Sequence, residues 1–547
     1  MATVAPALDP GRQRLILVAA IMGSFVAGLD ATVVNVALPA IERDLGGGLA
    51  GQQWVSNAYL LTLGSLILVG GSLGDVYGER RVFSLGVAGF GAASLLCALA
   101  PTIGVLVAAR ALQGIFGALL APSALAVIVM AFPQAERGGA IGSWTAWSGI
   151  ATVIGPFAGG WLIDAASWRW IFAINIPFIL ATLMLVRIAI PVHEPGTTRR
   201  HVDWAGAALC ALGLAGPVYA LVSQPQAGWP AARVVIPLVG GICVFAAFLW
   251  REAHIADPML PLGLFRRRNF SVGNVQTLTM YGGLGITFFF LVLFLQQVAG
   301  YDALQAGLAT LPSTLVMFVL SKRFGALADR FGPRAFMGGG PLVAALGLAW
   351  FTRMPADVAY AVDVLPGLLV FSLGLAMTVA PLTATVLADA DESNAGIASG
   401  INNAIARVAG LLAIAALGAV VAATFTSSID SSLAGVPLTP RARVVVAQAE
   451  RQALARADTT GLPPSEAVAV SAAVQHASVR AFHTGIAISA TLVFLGGIVG
   501  LVGIVNPRRR VAADGCAGGQ IVGMPQDVGD CWEAGEGLPV VTLPARG

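Results

Sequence analysis

The sequence predicts an all-α polytopic membrane protein of fourteen transmembrane helices, arranged as two six-helix bundles with two further helices inserted between them. Three observations carry this reading. Hydrophobic residues make up 57% of the 547-residue chain and charged residues only 11%, against roughly a quarter charged in soluble domains. Apolar runs recur throughout, each close to the roughly 20 residues of helix that cross about 30 Å of hydrocarbon. A short Gly-Asp-Arg loop motif also occurs twice, in the two halves of the chain.

Taken in order, residues 1–14 form an N-terminal tail and the first run covers 15–38. That run contains Asp30 and exceeds the roughly 7 to 15 residues of a signal-peptide core, so it reads as a retained span. Spans at 54–74, 82–100, 104–130, 139–163 and 169–190 complete an N-terminal bundle, 15–190. Runs at 204–222 and 232–250 are the inserted pair within 191–270. The C-terminal bundle, 271–505, holds spans at 271–299, 305–328, 335–352, 360–388, 396–424 and 481–505. Residues 425–480 are mixed polar and Ala-rich, an external loop suited to short helices, and 506–547 read as a disordered Gly-rich cytoplasmic tail.

Lys and Arg near span ends stay cytoplasmic. With both termini inside, cytoplasmic segments carry nineteen of them and the short external loops only Arg43, Arg169, Arg233 and Arg353. Thirty arginines against one lysine, Lys322, point to a GC-rich bacterial genome and so to a bacterial cytoplasmic membrane. A net charge of +3 argues against nucleic-acid binding. Lys322 follows Ser321 rather than Gly, so the chain has no phosphate loop for ATP. Cys97, Cys210 and Cys243 lie in apolar runs and Cys516 and Cys531 in the tail, without zinc-site spacing. None of the five histidines falls deep in a span, and no nucleophile has a base partner, which excludes an enzyme.

GSLGDVYGERR (Gly71–Arg81) follows the second span and GALADRFGPR (Gly325–Arg334) the tenth. Like motifs on one side, eight spans apart, mean two parallel halves, the plan of alternating-access transporters that hold substrate between the halves near the midplane. The first copy, with Gly71, Leu73, Asp75, Gly78 and Arg80, and the second, with Gly325, Leu327, Asp329, Arg330, Gly332 and Arg334, resemble the cytoplasmic loop of the major facilitator superfamily. Val76 and Glu79 depart from it, standing where that loop usually carries basic residues. LDATVVNVALP from Leu29, QWVSNAYLL from Gln53, RALQG from Arg110, GPFAGG from Gly155 and WRWIFAINIP from Trp168 together resemble fourteen-helix drug:proton antiporters of the EmrB/QacA type, over residues 15–505.

A charge within the bilayer costs several kcal/mol unless paired or hydrated, so Asp30 is a functional candidate on physical grounds alone. It and Arg110 lie at similar depths, about 9 to 12 Å below the outer ends of spans 1 and 4 at 1.5 Å per residue, and can pair. The resemblance assigns them proton and substrate coupling, and gives Arg407 a gating or substrate-facing role. It also makes Gly71, Asp75, Gly78, Arg80, Gly325, Asp329, Gly332 and Arg334 a cytoplasmic gate, where Asp75 and Asp329 can bind a neighbouring helix N-terminus. Gly155, Pro156, Gly159 and Gly160 form the helix motif associated with exporters. Aromatic walls suit flat apolar surfaces, and the candidate cavity comprises Phe25, Asn35, Tyr59, Gln113, Trp144, Trp147, Phe289 and Asn402. The resemblance implies efflux of amphipathic organic compounds in exchange for protons, driven by the proton motive force with no cofactor or metal, by a monomer. The alternatives on the same plan are a lipid exporter and a substrate importer.

Overall fold

The computed structural model describes residues 9–191, 202–256, 258–389, 395–451, 454 and 457–506, and among these every regular element is helical. The N-terminal half contains α1 (Pro10–Leu45), α2 (Gly48–Tyr77), α3 (Glu79–Ala98), α4 (Ile103–Ala131), α5 (Gln134–Ala165) and the short α6 (Trp170–Ala173) continued by α7 (Asn175–Ala189). Next come α8 (Trp204–Ala227) and α9 (Ala232–His254). The C-terminal half contains α10 (Arg268–Leu293), α11 (Ala303–Phe331), α12 (Pro333–Phe351), α13 (Leu365–Ala388), α14 (Ala395–Leu433), α15 (Pro440–Arg451) and α16 (Pro464–Gly503). Thirteen spans are long and apolar enough to cross a membrane. The 32-residue α5 makes the fourteenth crossing, because α4 and α7 both end beside the start of α1. The protein is an all-α, multi-pass membrane protein. The tail expected to be disordered lies outside the described residues, apart from Asn506.

Local signals set several helix starts. The Asp9 carboxylate accepts from Gly11 N ahead of Pro10 in the first turn of α1, and Thr102 accepts from Val105 N at α4. Asp302 and Gln305 close a capping box on α11.

The halves repeat each other in their polar ties as well as their helix order. At the end where α1 and α10 begin, Arg12 Nε donates to the Ala189 carbonyl at 2.7 Å, and Arg268 Nε to that of Gly503 at 2.8 Å. Gln13 reaches the Ala131 carbonyl, closing α1 on α4, as Arg267 reaches that of Asp389, closing α10 on α13. Arg80 donates to the Arg187 carbonyl, and Arg334 to that of Leu501. In each pair a side-chain donor meets orphan carbonyls at a helix C-terminus, and all but Gln13 are arginines, which the helix dipole favours there. Gly78 and Gly332, ahead of the two arginines, sit at φ 88° and 91°, backbone that a β-carbon disfavours.

One hydrophobic core runs through both halves at the end opposite the starts of α1 and α10, from Val36, Val55 and Phe172 to Phe289, Phe294, Phe371 and Phe482. Towards the end where α1 and α10 begin the cores separate, one around Phe83, Phe90 and Ile179 and another around Phe270, Met337 and Val386. Hydrogen bonds between described residues that join the halves lie at the end of the shared core: Gln53 to the Ile414 carbonyl (2.6 Å), Gln296 to that of Val36 (2.8 Å), and Leu304 N to Asp164 (2.7 Å). The halves are closed against each other at that end. The α8 helix packs beside the α2–α14 seam, with Val218 and Val222 against Leu411 and Ala415.

The segment 425–480 departs from the expectation of separate short helices. Much of it is continuous with the flanking spans, since α14 runs on to Leu433 and α16 begins at Pro464; only α15 is a short helix. At 1.5 Å per residue the 39-residue α14 reaches about 58 Å, well beyond the hydrocarbon. The extensions hold because they bury Phe425, Ile429, Val470 and Val474 together with Ala449 and Leu454, in continuity with the core shared by both halves.

Candidate proton and substrate site

Asp30 and Arg110 meet inside the N-terminal half, 0% and 2% exposed, with Arg110 Nη1 2.5 Å from Asp30 Oδ2. Gln113, one turn beyond Arg110 on α4, bridges the pair: its amide donates to Asp30 Oδ1 (2.9 Å) while its carbonyl accepts from Arg110 (2.6 Å). Ser94 on α3 accepts from Gln113 (2.9 Å) and Asn175 on α7 (3.3 Å), and Asn175 also reaches Asp30 Oδ1 at 3.5 Å. Arg110 Nε donates to the Val55 carbonyl of α2 at 3.2 Å. Its guanidinium lies 4.3 Å from the centre of the Tyr59 ring, an arrangement that adds cation–π attraction. Cys97 Sγ lies 3.6 Å from Gln113.

Five helices thus converge on one carboxylate. A buried ion pair is tolerable when further hydrogen bonds satisfy its remaining donors and acceptors, which Gln113, Asn175 and Val55 do here. Ser94 and Asn175 escape sequence reasoning because single small polar residues are common in membrane helices; their shared signal is a polar side chain in an otherwise apolar run.

Arg407 stands apart from this cluster. Its side chain is exposed on α14, its β-carbon lies 3.2 Å from where one would stand on Gly64 of α2, and its charge acts on Tyr59 and Tyr281. Among the described residues it forms no ion pair. The other candidates scatter. Tyr59 and Gln113 are buried at the ion pair, and Phe25 is half-buried 5.8 Å from Phe178. Asn35 is half-buried on α1, and Trp144 donates to Ser24 at 2.8 Å. Phe289 is fully buried against Phe290, and Asn402 donates to Asn274 and Thr277 between α14 and α10. Trp147 is 52% exposed on the same stripe of α5 as Ile154, Phe157 and Trp161, the apolar outer face of that helix.

GPFAGG serves two interfaces. β-Carbons at Gly155 and Gly159 would meet Thr32 and Val33 of α1, whereas one at Gly160 would stand 2.6 Å from the Ala303 carbonyl across the divide between halves. Close approach of backbones therefore requires glycine here. One turn on, Asp164 accepts from Leu304 N, and from Ala303 N at 3.4 Å, at the N-terminus of α11, where the dipole favours a carboxylate. Of the gate residues, Asp329 is exposed at the end of α11, and the Asp75 side chain lies outside the described residues.

Two repeated helical halves, closed against each other at one end beside a buried polar cluster, have the plan of a secondary transporter. The model of the Major Facilitator Superfamily matches residues 20–414, and the chain belongs to that family. It is 37% identical to a puromycin resistance protein of Streptomyces alboniger over 412 residues, 74% of this chain and 81% of the relative. A tetracenomycin C resistance and export protein of Streptomyces glaucescens is 34% identical over 75% of this chain and 76% of its own length. The multidrug resistance protein Stp of Mycobacterium tuberculosis is 34% identical over 80% and 81%. A bacterial homologue of the human lysosomal transporter Spinster, solved inward-facing and unoccupied, shares the fold with a TM-score of 0.61 at 17% identity, covering 92% of this chain and all of that one. A D-xylose–proton symporter does so with a TM-score of 0.57 at 14% identity, covering 90% and 98%.

Proposed function

We propose that the protein exports amphipathic organic compounds, antibiotics among them, from a bacterial cytoplasm in exchange for protons, with both termini cytoplasmic and no cofactor beyond the proton motive force. Relatives named for puromycin, tetracenomycin C and multidrug resistance support the cargo and the direction. The observation that carries the coupling is the buried Asp30–Arg110 pair.

Among the described residues Asp30 carries the only negative charge touching Arg110, and protonating it leaves a guanidinium buried without compensation, a state costing about 3–5 kcal/mol. The half relieves that cost by rearranging until Arg110 reaches water or another anion, so the proton biases which conformation is populated. Opening to the outside must part Gln53, Gln296 and Asp164 from their partners. A difference of a few kcal/mol at Asp30 is of the size needed to tip such an equilibrium.

The test is dye efflux from cells carrying the wild type or Asp30→Asn, with and without an uncoupler. Export by proton exchange predicts efflux that collapses with uncoupler and in the variant. Efflux indifferent to both removes proton exchange at Asp30.

A further inference from the structure

Among the described residues, the charges at membrane depth are distributed unevenly. Asp30 is sealed within one half and already neutralised by Arg110, so neither offers a charge to the cleft. Arg407 is exposed, without an acidic partner, on the cleft-facing seam of the other half. Its direction follows from its neighbours. Gly400 and Gly418, on the same side of α14, face Leu68 and Gln53 of α2. Ala416 is also exposed, but nine residues on is two and a half turns, the opposite side of the helix. On the lipid flank of the seam, α8 covers Leu411 and Ala415. The exposed guanidinium therefore opens between α2 and α10, beside Tyr281, with Asn403 exposed one turn towards the cytoplasm.

We infer that Arg407 is the docking cation for cargo, and that the cleft selects flat aromatic compounds bearing a carboxylate or another anionic group over cationic ones. This rests on the export reading for its biological sense. Arg407 attracts the same cargo whichever way that cargo moves. A lone guanidinium in a cleft with low-dielectric walls attracts an anion and repels a cation. It pairs with carboxylates in two-pronged geometry and stacks on aromatic rings. Asp30, the carboxylate among the described residues that would welcome a cation, is spent on Arg110.

The test uses two probes with one ring system: pyrene carrying a butyrate, and pyrene carrying a butyltrimethylammonium. Binding to the purified full-length protein in detergent is followed by fluorescence anisotropy, for the wild type, Arg407→Gln and Arg407→Lys. The wild type is expected to bind the butyrate at least about tenfold more tightly, the effect of one ion pair partly screened by water. Arg407→Gln brings the two affinities together, whereas Arg407→Lys, which keeps the charge, retains most of the preference. Equal affinities in the wild type, preference for the cation, no binding of either probe, or a preference untouched by Arg407→Gln would each overturn the inference. Flux of both probes from proteoliposomes under an imposed pH gradient separates it from the export reading. Charge-selective binding without gradient-driven flux supports selection by Arg407 and removes proton exchange, whereas gradient-driven flux without charge selection does the reverse.

Discussion

Asp30 has both oxygens engaged, one by Arg110 and the other by Gln113 and Asn175. Removing one member of the pair strands the other, so Asp30→Asn and Arg110→Gln are each expected to lose about 3–5 kcal/mol of stability, seen as a lowered Tm in detergent. Replacing both by leucine is expected to regain most of that loss while transport stays absent. A double variant no more stable than the single ones would show that the pair is not the energetic unit. The sequence exposed Asp30 and Arg110 plainly, because a charge in an apolar run has few innocent explanations. It offered much less on the side chains around them. Phe289 and Trp147 have the composition of a cavity wall, yet one is core and the other belongs to the outer stripe of α5. Aromatic residues suit all three settings, and which way a helix turns them is decided by its packing neighbours.

At the scale of elements, α5 and α11 form a latch between the halves. Gly160 lets Ala303 approach, and Asp164 holds the N-terminus of α11. With spin labels on exposed Ala166 and Leu308, Asp164→Asn is expected to shift the distance distribution towards longer separations, and Gly160→Val to do so more strongly. An unchanged distribution in both would show that the latch does not hold the seal. The α8–α9 pair is tied differently, by Arg251 Nη2 on Asp203 at 2.9 Å. Burial pushes the Asp203 carboxyl up, but hydrogen bonds from Arg251 and Gly206 N outweigh it and hold the group below the usual carboxylate range. A depressed value means stability that is present above the unfolded carboxylate's pKa of about 3.9 and lost as pH falls through the folded one. Acid unfolding of Asp203→Asn is therefore expected to show a shallower pH dependence below about pH 4 than the wild type; an identical profile would contradict it. Helix centres were legible throughout because apolar runs are long. The extensions of α14 and α16 beyond their apolar runs were not, since an Ala-rich polar segment is helical only once Phe425, Val470 and Val474 find each other.

For the whole molecule, the repeat was legible because two loop motifs must conserve the same turn, and Gly78 and Gly332 take up nearly the same φ. The conformer was not legible, because one sequence must support both inward and outward states within a few kcal/mol. What links the states in this account is a proton on Asp30, and substrate and proton should exclude each other through it. The most direct measurement is proton release from purified protein, read with a pH indicator in weakly buffered detergent as pyrenebutyrate is added. The wild type is expected to release up to one proton per bound molecule, largest where Asp30 begins protonated, and Asp30→Asn none. Equal release from both proteins would place the exchanged proton elsewhere and contradict the account.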